Sequence, residues 1–481
     1  MTFLGLDLGT SALKALLMDG EGTPLDSATA PLSVSRPHSG WSEQNPADWI
    51  AACVSAVNQL GAAHDLSEVR AIGLAGHMHG ATLLDAGDEP LRPCILWNDT
   101  RSHAEAAAMD ADPRFRDITG NIVFPGFTAP KLAWVRAHEP DLFHATRRVL
   151  LPKDYLRLWL TGEAVSEMSD AAGTAWLDTG ARDWSDPLLE ATGLSRSHMP
   201  RLVEGSEPSG GLRAGVAMRL GLREGIVVAG GAGDNAAAAI GTGVVAPGDA
   251  FLSLGTSGVL FAAADHYAPA PETALHTFCH ALPGRWHQMG VILSATDSLA
   301  WYARLTGVDE ASLTAELGDR VLPPSRTLFL PYLGGERTPH NDANVRGAFL
   351  GLEHATDRAA GTRAVLEGVA YAFRDCLDAM GATGTAPQRV LAVGGGSRST
   401  YWLQLCADVL GLPVDLPHDG EFGASLGAAR LARMAAGEGG VETVTPPAIA
   451  RSFEPEPARA AAFAEAVERY RIVYRAVRDL S

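Results

Sequence analysis

One short phrase occurs twice in this chain, and it carries groups that can bind anions. Leu8-Gly9-Thr10-Ser11 follows Asp7, and Leu254-Gly255-Thr256-Ser257 follows Ser253. Each copy sets Gly-Thr-Ser between apolar runs, which predicts the tight turn of a β-hairpin. Such a turn presents backbone N–H groups and two hydroxyls to an anion. Two of them, one in each half, predict related domains clasping a polyphosphate. Asp7 has no counterpart at Ser253, so a cation-binding carboxylate is expected on one side only. At a strand end beside a phosphate turn it can hold Mg²⁺, directly or through water. Lys14, on the returning strand, is either a phosphate ligand or a surface lysine. A single copy would be explained equally well by turn chemistry; the second tips the balance towards function. No Gly-Lys-Ser/Thr follows a four-residue spacer, so this is not a P-loop.

Asp234 is the candidate catalytic group. It follows the buried strand Ile226–Ala229 and a glycine-rich turn, and it precedes the helical run Asn235–Ile240. A carboxylate so placed can accept the proton of a hydroxyl during phosphoryl transfer. The competing reading is an N-cap, worth about 1 kcal/mol. Gly225, Gly230, Gly231 and Gly233 indicate close approach of a ligand and bring the two readings level. Gly394-Gly395-Gly396-Ser397 lies between a strand and a helix. It offers a ring or phosphate close access, with Ser397 as a cap, but it is not a dinucleotide fingerprint. His77-Met78-His79-Gly80 places two histidines two apart at a strand end, facing one side. With no third ligand for a metal, His79 is either a satisfied loop histidine or a polyol contact. Trp97–Arg101 mixes aromatic and polar groups as sugar sites do.

The positioning elements follow from pattern. Thr2–Leu8 and Leu13–Asp19 predict the opening hairpin. Asn45 followed by Pro46 predicts a helix start. Residues from about 100 to 225 read as insertions and loops. A second cycle runs from the hairpin around Leu254 through a helix over roughly Thr362–Met380 and the strand Val390–Val393. Phe463, Val467, Tyr470, Tyr474 and Val477 mark an amphipathic C-terminal helix. At 481 residues the chain fits two to four domains, and 46% apolar content suits a packed core. No apolar run reaches about 18 residues, and the chain opens directly on a strand, so a cytoplasmic protein without a membrane span is expected. A net charge of −18 disfavours nucleic acid and anionic membranes as partners. The five cysteines show no Cys-x-x-Cys spacing and read as small core residues.

Several runs resemble the FGGY carbohydrate kinases over essentially the whole chain. Gly126–Val135 is similar to the family's first signature, and Gly395–Gln404, continuing to Asp408, to its second. Gly76–Thr82, Ile95–Asp99, Leu151–Leu156, Ser169–Thr174 and Gly335–His340 resemble most the bacterial members acting on D-xylulose. His77 stands where those members have Gln. The resemblance implies an α/β fold of two ribonuclease-H-like ATPase domains, as in actin, hexokinase and Hsp70, with a cleft between them. Residues 1–245 would bind sugar and 246–481 would bind ATP. It implies ATP and Mg²⁺ as cofactors, D-xylulose as acceptor and a homodimer. By the same resemblance Asp234 is the base and Asp7 positions the metal. Thr10, Ser11, Gly255 and Thr256 hold phosphates. Gly395, Gly396 and Ser397 line the adenosine site, and Met78, His79, Asp234 and Asn235 contact sugar. Two alternatives stay open: a kinase for another ketose or polyol such as ribulose, xylitol or glycerol, and an actin- or chaperone-like ATPase.

Overall fold

Along the first strand, β1 (Thr2–Leu8), side chains alternate between two faces. Leu4, Leu6 and Leu8 enter one apolar core, with Trp49 and Val57 of α1 (Pro46–Gly61). Phe3, Gly5 and Asp7 point to the opposite face. The computed structural model describes residues 1–418 and 423–480. Strand β1 turns through residues 9–11 into β2 (Ala12–Asp19), which continues antiparallel into β3 (Pro24–Pro31). On its other side β1 runs parallel to β4 (Val69–Gly76), which is flanked by β5 (Val227–Ala229) and the two-residue β6 (Ala232–Gly233). With Pro208–Gly211 at the edge, these make a seven-stranded sheet.

The second half repeats the plan. β7 (Ala250–Leu254) turns through residues 255–257 into the antiparallel β8 (Gly258–Ala264), which pairs with β9 (Trp286–Ile292). The other side of β7 pairs in parallel with β10 (Val390–Val393), and β10 with β11 (Val414–Pro417). His276–Cys279 and Ile449–Phe453 complete a second seven-stranded sheet. Its own core includes Val365, Val369 and Phe373 of α2 (Arg358–Ala382) and Leu403 and Leu405 of α3 (Thr400–Leu410). Phe463, Val467 and Tyr470 of the C-terminal helix Pro457–Val477 join it, as the periodicity predicts.

Residues 100–225 differ from expectation. They form several short helices and carry much of a third apolar core, which includes Phe115, Leu132, Trp176 and Leu188. Phe251, Phe261 and Phe278 from the second half enter that same core. The insertion therefore packs on one face of the second sheet and is not a set of surface loops.

The seam between the halves is made by α4 (Ala424–Ala435). This helix belongs by sequence to the second half but lies on the first sheet, on the Phe3–Gly5 face. A Cβ on Gly5 would sit 1.9 Å from the Ser425 carbonyl oxygen, and one on Gly73 would sit 1.8 Å from that of Ala428. Both strands need glycine there so that helix backbone can touch sheet backbone. All five cysteines are buried and unpaired.

Candidate functional site

Parallel strands deliver their C-terminal ends to one edge, and three of them meet here. Leu8 of β1 and Gly233 of β6 both lie opposite Gly76 of β4. Asp7 and Asp234 are thereby brought together. Burial, with the neighbouring Asp234 carboxylate, raises the Asp7 pKa to about 7, and Lys14 across the hairpin opposes this. Asp234 is also raised by lost hydration, although Asn235 donates to its Oδ1 from the backbone (2.7 Å) and from Nδ2 (3.0 Å). Two carboxylates sharing one poorly hydrated edge form a site short of positive charge.

Asp234 is not an N-cap. Gly233 holds that position, and Asp234 is the first residue of the helix Asp234–Thr242. Its carboxylate accepts one first-turn N–H, that of Asn235 (2.7 Å), so it also helps to satisfy the helix start. The preceding turn is held from beneath. The Gly233 N–H donates to Ser169 Oγ (3.0 Å), which donates to Glu167 (2.8 Å). The Gly230 carbonyl accepts from Arg157. Buried Lys153 binds Asp154 (2.8 Å), Glu167 (3.2 Å) and Asp170 (3.0 Å). Sequence reasoning quoted these runs without giving them a role; only the fold shows that they carry the Asp234 turn.

The histidine pair does not face one side. His77 is buried edge-on to Trp49, its ring centroid 6.0 Å away, with both nitrogens unpartnered. His79 has φ = +70°, so the strand has already ended there and its ring turns another way. The ring stacks on Phe127 at 4.7 Å, and Nδ1 lies 2.7 Å from the Gly173 carbonyl. A carbonyl only accepts, so Nδ1 carries the proton and Nε2 is an acceptor. Burial and the nearby Lys131 charge pull its pKa down to about 3 and keep the ring neutral. Met78 lies between the Asp234 turn and Gly173: Cβ atoms on Gly233 and Gly173 would lie 2.8 Å and 2.9 Å from its side chain. Met78 and His79 therefore pack beside Gly173, and Met78 also against Gly233, the residue before Asp234 and Asn235.

Thr10, in the first Gly-Thr-Ser turn, is held by two side chains. Its hydroxyl accepts from Trp97 Nε1 (3.0 Å) and its carbonyl from Gln44 (2.7 Å). Ser11 is exposed, and its carbonyl accepts from Leu32. Behind Trp97, Asp99, Arg101 and Glu43 form a buried ion cluster. The second half adds residues that the sequence reading missed. The Arg337 guanidinium lies 4.7 Å from the Phe124 ring, and Nη1 is 3.3 Å from His276 Nε2. This arginine lies in the run Gly335–His340, which the resemblance picks out without giving it a role.

A separate cavity of about 860 Å³ opens in the second half. Gly395 and Gly396 line it, with Thr296, Ala311, Ser399 and Tyr401. The second Gly-Thr-Ser turn abuts it, for the Gly255 carbonyl accepts from both the N–H (2.9 Å) and hydroxyl (2.8 Å) of Thr296. Thr256 is exposed in the same turn. Gly394 has φ = +88° and could not carry a Cβ, which would meet the Leu254 carbonyl at 2.8 Å. Ser397 is not the cap. Residues 395–398 form a 3₁₀ turn, Ser397 Oγ donates back to Gly394, and Ser399 caps α3.

Among the described residues no helix is long and apolar enough to cross a membrane, and no cluster of three or more His, Cys, Asp or Glu could hold a metal. A metal at this edge would have Asp7 as its protein ligand, with water supplying other oxygens. That donor set suits Mg²⁺.

The comparisons agree with this architecture. Residues 2–241 match the N-terminal domain, and residues 250–436 the C-terminal domain, of the FGGY family of carbohydrate kinases. The chain is 49% identical over 479 residues to xylulose kinase of Escherichia coli (strain K12), covering 98% of each. The crystal structure of a "xyloylose kinase" from Brucella ovis superposes with a TM-score of 0.99 at 60% identity, covering 100% of both chains. Xylulose kinase from Rhodospirillum rubrum superposes at 0.93 with 30% identity, covering 100% of this chain and 99% of that one. With both halves matched in order and nearly their full length accounted for, the chain belongs to the FGGY family of carbohydrate kinases.

Proposed function

We propose that the chain transfers the γ-phosphoryl group of ATP to the 5-hydroxyl of D-xylulose, with Asp234 as general base. The observation that carries this reading is the pairing of Asp7 and Asp234 at adjoining strand ends, beside Met78. Xylulose kinases from three genera supply the acceptor. Asp234, first in its helix, takes the hydroxyl proton. Met78, His79 and Asn235 orient the sugar. His79 Nε2 accepts from one sugar hydroxyl. Thr10, Ser11, Gly255 and Thr256 hold phosphate oxygens with backbone and hydroxyl donors, and Gly395, Gly396 and Ser397 face the adenosine. Bound Mg²⁺ supplies charge neutralisation at the phosphates, with Asp7 as its anchor. Residues 1–245 act as the sugar-binding domain and 246–481 as the ATP-binding domain. A cytoplasmic homodimer completes the reading.

The test is ADP release from Mg-ATP with D-xylulose, D-ribulose, L-ribulose, xylitol and glycerol, alongside Asp234→Asn. Stimulation by D-xylulose that is lost in the variant is expected. Turnover without any sugar would favour an ATPase and overturn the proposal.

A further inference from the structure

Lys131 is fully buried, yet among the described residues no carboxylate pairs with it. Its Nζ donates to three backbone carbonyls: His79 (3.0 Å), Phe127 (3.0 Å) and Gly126. Burial pulls the Lys131 pKa down to about 7, against the opposing pull of Cys94 and Asp99, and so costly a buried group is held here by its three hydrogen bonds. All three acceptors converge on His79. One is its own carbonyl, in the left-handed backbone that a β-carbon disfavours. The other two belong to the loop whose Phe127 ring stacks on the His79 ring. Thr128 Oγ1 also donates to the His79 carbonyl (3.2 Å). The charge has a second effect, since it disfavours protonation of His79. Cys94, Asp99, Arg101 and His77 are the other titratable or charged groups near Lys131.

We propose that Lys131 is a positioning residue for acceptor binding: it fixes His79 in its left-handed conformation, with a neutral ring presenting Nε2 to a sugar hydroxyl. The inference rests on the reading that His79 contacts the sugar. Its ligand is accordingly a polyol chain with a hydroxyl donor at that point, and an acceptor lacking that hydroxyl gains nothing from the lysine. The lysine is not among the residues lining the cavity at Gly395 and Gly396, so it acts on the sugar and not on the nucleotide.

The experiment compares wild type with Lys131→Met and Thr128→Val. In Lys131→Met the KM for the sugar should rise on the order of tenfold or more, the scale of a charge-assisted hydrogen bond. The KM for Mg-ATP should stay within about twofold. Thr128→Val should move the sugar KM the same way by less. In the wild type, ¹⁵N NMR should show His79 Nε2 unprotonated. An unchanged sugar KM in folded Lys131→Met, or a proton on Nε2, overturns the proposal. If Lys131→Met does not fold, an unchanged sugar KM in Thr128→Val does so. Failure of the wild type to use D-xylulose would refute the acceptor instead, and the same KM comparison would then be made with whichever polyol it does use.

Discussion

Like Gly73, Gly427 should be hard to replace, since helix backbone fills the space of its missing side chain. A Cβ there would lie 1.8 Å from the Ala237 carbonyl oxygen and 3.0 Å from the Gly241 nitrogen. Both belong to the helix that begins at Asp234. Real Cβ contacts do not fall below 3.0 Å, so Gly427→Ala must part the two helices by 3.0 − 1.8 = 1.2 Å or more. Overpacking against rigid backbone costs about 3 kcal/mol, the upper end of the usual range. Alanine regains about 1 kcal/mol of helix propensity, leaving about 2 kcal/mol of net loss. For a unit the size of the first half that lowers Tm by roughly 4–8 °C. A displacement of about 1 Å at the base costs on the order of 10²-fold in kcat. Thermal unfolding and coupled ADP release measure the two effects, with Gly381→Ala as control, because a Cβ there meets nothing within 4 Å. Unchanged Tm and turnover in Gly427→Ala would refute the reasoning, since propensity alone predicts a gain.

Asp7 makes a pH prediction. Its folded pKa of about 7 exceeds the unfolded 3.8, so the ligand-free protein loses stability as pH rises through that window. Asp7→Asn should therefore raise the Tm of ligand-free protein more at pH 8 than at pH 5 while weakening Mg²⁺-dependent turnover; equal shifts at both pH values would contradict the shared-edge electrostatics. Gly395→Val, at a point with open space around it, should raise the KM for ATP at least about tenfold with Tm nearly unchanged, as initial rates would show. Arg430→Met removes donors from the carbonyls of Ile240, Gly241 and Thr445. It should cost at least about 1–3 kcal/mol, and a calorimetric Tm equal to wild type would count against that.

Much of this arrangement was legible in the chain because it is local. A Gly-Thr-Ser turn between alternating strands declares a hairpin, and both hairpins formed where the repeat placed them. Asn45 and Pro46 start their helix as caps should. The misses came from effects without sequence periodicity. His79 leaves the strand through a positive φ, which spacing alone does not reveal. Ser399 rather than Ser397 caps its helix because a 3₁₀ turn intervenes. The middle segment looked like loops because its helices are short and its apolar residues answer a distant sheet. Arg337 and most of the Lys153 cluster lie in runs that the resemblance picks out, but their roles, like that of Thr296, come from long-range packing that no window of residues announces.

The route of α4 also sets an order of events during synthesis. Every strand of the first sheet has left the ribosome well before residue 424, yet the helix that covers its Phe3–Gly5 face has not been made. At ordinary elongation rates that face stays bare for on the order of ten seconds. The first sheet therefore completes its packing only late, although it is translated first, and a fragment ending near residue 245 carries an uncovered apolar face however long it is given to fold.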